Sequence, residues 1–277
     1  MIEIDKLSYS YGANKVLSEI STRLLPGRVY GLLGENGVGK TTLLTLLCGL
    51  KRPSEGSVLI DGKKPFDRLP SLLEQLFCLP EQVPAPGLAA ERFALGEGRF
   101  RSGYDHGKFR SMMGEFDVRL DQRMDRMSAG QLKKTWISLA LASGCRYLFL
   151  DEPTNGLDIP SKTTFRSALL KYSGEDCTTL ISTHQVRDLE NVLDTVIILE
   201  KRAVLLNAGM EEITAKLFFG YGGEPREDAL YLEKSPAGLV QVYPNTEGAD
   251  SKANLEALFN AARSHKDEIR KLFDKQQ

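Results

Sequence analysis

The chain has 277 residues, 42% of them hydrophobic, and 36 Lys and Arg against 37 Asp and Glu leave a formal net charge of −1. That length and apolar content suffice for one substantial α/β core plus a small lobe, and a balanced charge without a basic run argues against a nucleic-acid partner. The start Met1-Ile2-Glu3-Ile4-Asp5 has neither a basic region nor an apolar core, and no apolar stretch approaches about twenty residues, so neither a secretory leader nor a membrane span is expected.

From Ile2 to Gly12 apolar and polar residues partly alternate, as in a strand with one buried face. Next come the apolar run Val29–Leu33, then Gly34-Glu35-Asn36-Gly37-Val38-Gly39-Lys40-Thr41-Thr42, then the helix-like residues 43–50. The middle stretch fits G-x-x-x-x-G-K-[ST] with a strand before it and a helix after it, as that pattern requires. Glycines let several backbone N–H groups turn inward around phosphate charge at the positive end of a helix. Lys40 is expected to reach the β- and γ-phosphates of a nucleoside triphosphate, and Thr41 to bind Mg²⁺.

Leu76-Phe77-Cys78-Leu79 reads as a further strand, closed by Pro80-Glu81-Gln82. From about Val83 to Arg126 the strand rhythm breaks, opening with Pro84-Ala85-Pro86-Gly87 and holding helix-like pieces around 89–95 and 108–116. Met112, Met113 and Phe116 share a helical spacing that fits core packing. Met127-Ser128-Ala129-Gly130-Gln131 follows, where Ser128 with Gln131 three residues on is a capping-box pattern.

Tyr147-Leu148-Phe149-Leu150 is a continuous apolar run of the kind a doubly covered parallel strand shows, and it ends in Asp151-Glu152-Pro153. An aspartate at the carboxyl end of such a strand lies beside the phosphate loop, where it can hold Mg²⁺ through water. Glu152 is then placed to orient or deprotonate the attacking water. Asn155-Gly156-Leu157-Asp158 comes at once, and Leu180-Ile181-Ser182-Thr183-His184 brings a histidine to the ligand edge of the sheet. From Leu132 to about Val204 helix and strand alternate, as a parallel sheet with crossover helices requires.

Beyond Gly209 these motifs cease. Residues 211–219 read as a helix, Gly220-Tyr221-Gly222-Gly223-Glu224-Pro225 as a flexible break, and 229–233 with 238–243 as a hairpin around Ser235-Pro236-Ala237-Gly238. Leu255, Leu258, Phe259, Ala262, Ile269, Leu272 and Phe273 fall near helical spacing on a charged helix, expected to pack back on its own domain or on a dimer mate. Cys48, Cys78, Cys145 and Cys177 are scattered without metal-ligand spacing and are expected as reduced, buried thiols. His106, His184 and His265 lie too far apart to suggest a metal cluster.

In this order the segments resemble the ATP-binding subunits of ABC transporters, from about Ile2 to about Gly209. Residues 34–42 are similar to the Walker A loop and 147–152 to the Walker B strand. Ser128-Ala129-Gly130-Gln131 is similar to the signature loop, with Ala129 departing from the usual pattern. Residues 155–158 resemble the D-loop and His184 the switch histidine. The resemblance implies an α/β P-loop NTPase fold of the ABC ATPase type: an amino-terminal antiparallel β region, a mixed central sheet with mostly parallel strands, and a small helical lobe at about 83–127. These make up an ATP-binding domain of residues 1–209, followed by a short α+β extension of residues 210–277.

The resemblance further implies ATP and Mg²⁺ as cofactors, with Lys40, Glu152 and His184 in catalysis. ATP contacts are expected from Tyr11, with Tyr9 as the alternative for adenine stacking, and from Gly34, Glu35, Asn36, Gly37, Val38, Gly39, Lys40, Thr41 and Thr42. Ser128, Gly130 and Gln131 are expected to face a nucleotide held by a second subunit. Thr41, Asp151 and the loop residue Gln82 are the expected metal ligands, with Glu81 as the alternative to Gln82. Since each motif occurs once, two identical or related chains must pair head to tail around two ATP molecules. A polytopic membrane permease is the implied partner and the cytoplasmic face of the membrane the implied place. The tail is similar to those of ATPases serving export-type permeases, which favours export. A soluble ABC-type regulatory ATPase, not coupled to transport, is the alternative.

Overall fold

A computed structural model describes residues 1–174, 176–235 and 238–273. The alternating amino terminus forms β1 (Ile2–Tyr11), paired antiparallel with β2 (Asn14–Leu24). Ile2 and Ile4 point inward, and an irregularity at Lys6, whose φ is 44°, shifts the alternation so that Leu7 is buried too. The apolar run forms β3 (Val29–Leu33), which feeds the glycine loop and α1 (Lys40–Leu47). β4 (Glu55–Ile60) then returns to the free edge of β1 and completes a three-stranded antiparallel sheet, β2-β1-β4.

A short turn of helix, α2 (Pro70–Leu73), precedes β5 (Leu76–Leu79). The helical lobe holds α3 (Ala90–Gly98) and α4 (His106–Glu115), the latter capped by Asp105, whose carboxylate accepts from the Lys108 N–H at 3.0 Å. The long helix α5 (Ala129–Ala142) leads back to the sheet through β6 (Tyr147–Asp151), α6 (Ile159–Tyr172), β7 (Thr178–Thr183), β8 (Thr195–Glu200) and β9 (Ala203–Gly209). The six-stranded central sheet has the order β5-β6-β7-β3-β8-β9, parallel except for β9.

The unbroken apolar sequence of β6 follows from cover on both faces. Tyr147 and Phe149 join Leu43, Leu46 and Leu47 of α1 in the core beneath the amino-terminal sheet. Leu148 and Leu150 point the other way, into a core shared with Phe109, Met112, Met113 and Phe116 of the helical lobe. Each such fully buried side chain contributes roughly 1.5–3 kcal/mol, so the sheet is held from both sides.

The carboxy-terminal segment departs from its sequence pattern in two places. The helix expected over 211–219 is α7 (Met210–Lys216), and it stops at Lys216 because Leu217 and Phe219 alternate inward as part of β10 (Leu217–Tyr221). This strand takes in Gly220 and Tyr221, which the sequence pattern assigns to a flexible break. With β11 (Tyr231–Ser235) and β12 (Gly238–Pro244) it forms an antiparallel sheet of order β10-β12-β11. Pro236 and Ala237 of the expected hairpin turn lie outside the described residues. The terminal helix is two helices, α8 (Leu255–Ser264) and α9 (Lys266–Phe273), broken at His265, whose φ of −126° and ψ of 59° are not helical. The break lets Ile269 bury itself while the Lys266 ammonium meets Glu200 at 2.7 Å.

The cysteines also need correction. Cys145 and Cys177 are buried free thiols, but Cys48 and Cys78 form a disulfide with an S–S distance of 2.05 Å. Cys48 closes α1, and α1 packs on the sheet face toward which Cys78 of β5 points. Two residues 30 apart in sequence thus meet with their Cα atoms 6.4 Å apart.

Candidate nucleotide site

β7 lies between β6 and β3, so the residues following these three strands emerge side by side at the carboxyl edge of the sheet, where open α/β sheets bind ligands. After β3 the glycines are sterically required at two positions. Gly39 has φ 114°, and a Cβ there would lie 2.7 Å from Leu17; a Cβ on Gly34 would lie 2.8 Å from the Leu199 carbonyl oxygen. Gly39 opens α1 without a side-chain cap, which leaves the first-turn N–H groups available to an anion.

Lys40 is only 6% exposed. Its Nζ donates to the carbonyls of Gly34 at 2.8 Å and Glu35 at 3.1 Å and lies 3.8 Å from Glu152 Oε1. Burial pulls its pKa below the usual lysine value, opposed by the negative charges of Glu152, Asp151 and Glu81. Thr41 Oγ1 donates to Asp151 Oδ2 at 2.7 Å, and the Ser182 hydroxyl from β7 holds the other oxygen of the same carboxylate. A hydroxyl and a carboxylate converging beside a lysine make an oxygen donor pair suited to a hard divalent cation.

Glu152, also buried, adopts the left-handed region with φ 44°. Such a conformation costs on the order of 1–3 kcal/mol and persists only where the surroundings enforce it. Here the Glu152 N–H donates to the Ser182 carbonyl at 3.1 Å, with the Ser182 hydroxyl oxygen 3.2 Å away. The strained backbone turns the carboxylate toward Lys40 and His184, whose Nδ1 donates to Glu152 Oε1 at 2.8 Å. The imidazole is 36% exposed, so it reaches both the buried carboxylate and the open cleft.

The cleft has a volume of about 600 Å³. Among the expected residues, Tyr11, Asn36, Gly37, Gly39, Lys40, Thr41, Thr42, Glu152 and His184 line it. Tyr11, not Tyr9, reaches it: its hydroxyl lies 3.4 Å from Thr42 Oγ1, and its ring is 48% exposed at the cleft, edge-on to Tyr9 and under the Lys51 ammonium. Asp151 sits just behind, through its bond to Thr41. Val38 turns away and packs against the core. Gly34 and Glu35 line an adjoining cavity of about 830 Å³, shared with Asn36, His184 and α8.

Gln82 is exposed and does not line the cleft; Glu81 does, and its Oε1 accepts from Asn155 Nδ2 at 3.0 Å. Of the two loop residues, Glu81 is thus the one at the cleft. Pro80 follows the last residue of β5, and the Glu81 carbonyl accepts from the Lys133 ammonium at 2.5 Å. Two contributors escaped the sequence pattern. Asn155 was expected only as part of a loop motif, while Arg263 of α8, which reaches Glu35 at 2.7 Å, lies in the charged tail with no motif to mark it.

Ser128, Gly130 and Gln131 stand off the cleft of their own chain. Ser128 is exposed at the start of α5, where its Oγ accepts from the Gln131 N–H at 3.2 Å and Gln131 Oε1 accepts from the Ser128 N–H at 3.1 Å. The capping box is present, and it leaves this helix end pointing outward.

A family model described as ABC transporter matches residues 17–155, half of the chain. Over 271 residues the chain is 29% identical to the uncharacterised ABC transporter ATP-binding protein YdbJ of Bacillus subtilis (strain 168), covering 87% of this chain and 82% of the relative. It is also 29% identical to the SkfA peptide export ATP-binding protein SkfE of the same organism, over 72% of this chain and 85% of the relative. A solved ATP-binding subunit of an ABC transporter superposes with a TM-score of 0.69 at 25% identity, covering 77% of this chain and 91% of that one. The ATP-binding cassette MJ0796, solved as a dimer in a post-hydrolysis state with ADP and Pi, shares the fold with a TM-score of 0.67 at 20% identity, over 76% of this chain and 98% of that one. With the phosphate loop, both carboxylates and the histidine gathered at one sheet edge, the chain belongs to the ABC transporter family as one of its ATP-binding, ATP-hydrolysing subunits.

Proposed function

We propose that this chain powers export through a separate polytopic membrane permease, pairing head to tail with a second copy or a related ATPase on the cytoplasmic face of the membrane. The observation that carries this reading is the contact set Thr41–Asp151 and Lys40–Glu152–His184 at the mouth of the phosphate loop. Export is supported by SkfE, whose name places it in peptide export, and by the lantibiotic transport ATP-binding protein SrtF of Streptococcus pyogenes. Among the described residues no helix is long and apolar enough to cross a membrane.

Lys40 moves from the loop carbonyls to the phosphates, and the loop N–H groups with the start of α1 bind the remaining oxygens. Tyr11 offers its ring to the base. Thr41 and Asp151, with Glu81 or Gln82 from the loop after β5, would hold Mg²⁺, which would supply positive charge to offset that of the phosphates. Glu152 accepts the proton of the attacking water, and His184 keeps that carboxylate in place while facing the γ-phosphate. Ser128, Gly130 and Gln131 close the site of the opposite chain, so bound ATP favours the closed pair and its hydrolysis lets the pair open.

A mixing experiment tests the shared site. Lys40→Met removes the phosphate-binding lysine, and Ser128→Arg blocks the signature surface, so each variant alone is expected to be inactive. Mixed in equal amounts, they form pairs with one intact site, and random pairing returns roughly a quarter of the wild-type sites. Mixtures that stay inactive would overturn the shared-site reading for identical chains.

A further inference from the structure

One buried charge has no part in the reaction described above. Lys133, on the second turn of α5, is 6% exposed and does not line the nucleotide cleft. A buried ammonium is costly unless its donors are met, and Lys133 Nζ meets the Glu81 carbonyl at 2.5 Å. Burial lowers its pKa, and the charges of Glu81, Asp151 and Glu152 oppose that shift. The same three carboxylates act on Lys40 from within the cleft. Lys133 is thus a second cation set behind the cleft wall, balancing the acids the site collects.

The loop after β5 is gripped twice by α5. One turn beyond Lys133, on the same side of the helix, Trp136 Nε1 donates to the Pro84 carbonyl at 2.9 Å. Between these anchors and the cleft stands Glu81, its carboxylate tied to Asn155 Nδ2 at 3.0 Å, while the Asn155 N–H donates to the Glu152 carbonyl at 3.2 Å. A continuous path runs from α5, which begins at Ser128, through Lys133 and Glu81 to the turn that carries Glu152.

We propose that Lys133 is a positioning residue: its buried ammonium, held on the Glu81 carbonyl, fixes the loop after β5 so that the Glu81 carboxylate faces the nucleotide, and thereby ties that carboxylate to any movement of α5. This rests on the nucleotide-site reading above. Lys133 acts through Glu81, so loss of the lysine matters to the reaction only while the carboxylate is present. A lysine that merely filled space in the helix would change stability alone.

The test is a double-mutant cycle on the full chain with two readouts. Steady-state ATP hydrolysis gives kcat and KM, and acrylamide quenching of Trp136, the single tryptophan of the chain, reports how well the loop is held. Lys133→Met is expected to lower kcat about 10-fold with KM for ATP changed less than about 3-fold, and to raise Trp136 quenching about 2-fold. In a Glu81→Ala background the same substitution is expected to leave kcat within about 2-fold, because the group it positions is gone. Losses that multiply in the double variant, or unchanged kcat and quenching in Lys133→Met, would overturn the proposal. If the methionine variant does not fold, Lys133→Gln, which keeps a donor without the charge, carries the same cycle. Failure of the underlying site reading shows separately, as undiminished hydrolysis by Lys40→Met.

Discussion

Glu152→Gln is expected to cut steady-state ATP hydrolysis by about 10²–10⁴-fold, the range a positioned general base supplies, while ATP binds as tightly as to the wild type or more so. The amide has the shape of the carboxylate and keeps an oxygen to accept from His184 Nδ1, now 2.8 Å from Glu152 Oε1, so the local geometry survives. What it loses is the ability to take a proton. It also removes a negative charge 3.8 Å from Lys40, which frees that ammonium for the phosphates. Hydrolysis assayed beside equilibrium ATP binding separates the two effects. Unchanged turnover would mean that another group acts on the water.

Lys40→Met should weaken ATP binding by about 10- to 150-fold, corresponding to loss of charge-assisted hydrogen bonds worth roughly 1.5–3 kcal/mol. Methionine fills nearly the same space but has no donor for the carbonyls of Gly34 and Glu35 or for a phosphate, and it leaves the Glu152 carboxylate without its nearby cation. Isothermal titration with ATP measures the affinity directly, with thermal unfolding recorded alongside to confirm that the variant is folded. An affinity equal to the wild type would place the phosphates elsewhere than on this loop.

The site was legible in the sequence to the extent that its chemistry is local. Gly34 through Gly39 join β3 to α1, whose first turn carries Lys40, Thr41 and Thr42, and Asp151 and Glu152 follow an apolar run, so the spacing brings these residues to one edge of the sheet. The Ser128–Gln131 cap is equally local, and both of its reciprocal bonds are present. Features set by packing between distant segments could not be read this way. Glu81 lines the cleft with its carbonyl held by Lys133, 52 residues later, and nothing in Leu79-Pro80-Glu81-Gln82 announces that partner. Cys48 meets Cys78 only because α1 lies against the sheet face that β5 shares.

The tail illustrates a different limit. Leu217-Phe218-Phe219 continues a helical pattern until pairing with β12 draws it into a sheet, and the stripe from Leu255 to Phe273 has one helical period although the chain turns at His265. Local periodicity does not encode such a turn, because the contacts that favour it, Lys266 to Glu200 and Arg263 to Glu35, join the tail to the carboxyl edge of the central sheet beside the phosphate loop.

The transport role is tested most directly by affinity purification of the tagged full chain from detergent-solubilised membranes of its native cell, with quantitative mass spectrometry of what accompanies it. A polytopic membrane protein recovered in fixed stoichiometry, in complexes that hold two ATPase chains, is the expected result. Recovery of soluble partners alone, or of none, would contradict the assignment of this chain to the engine of a membrane transporter.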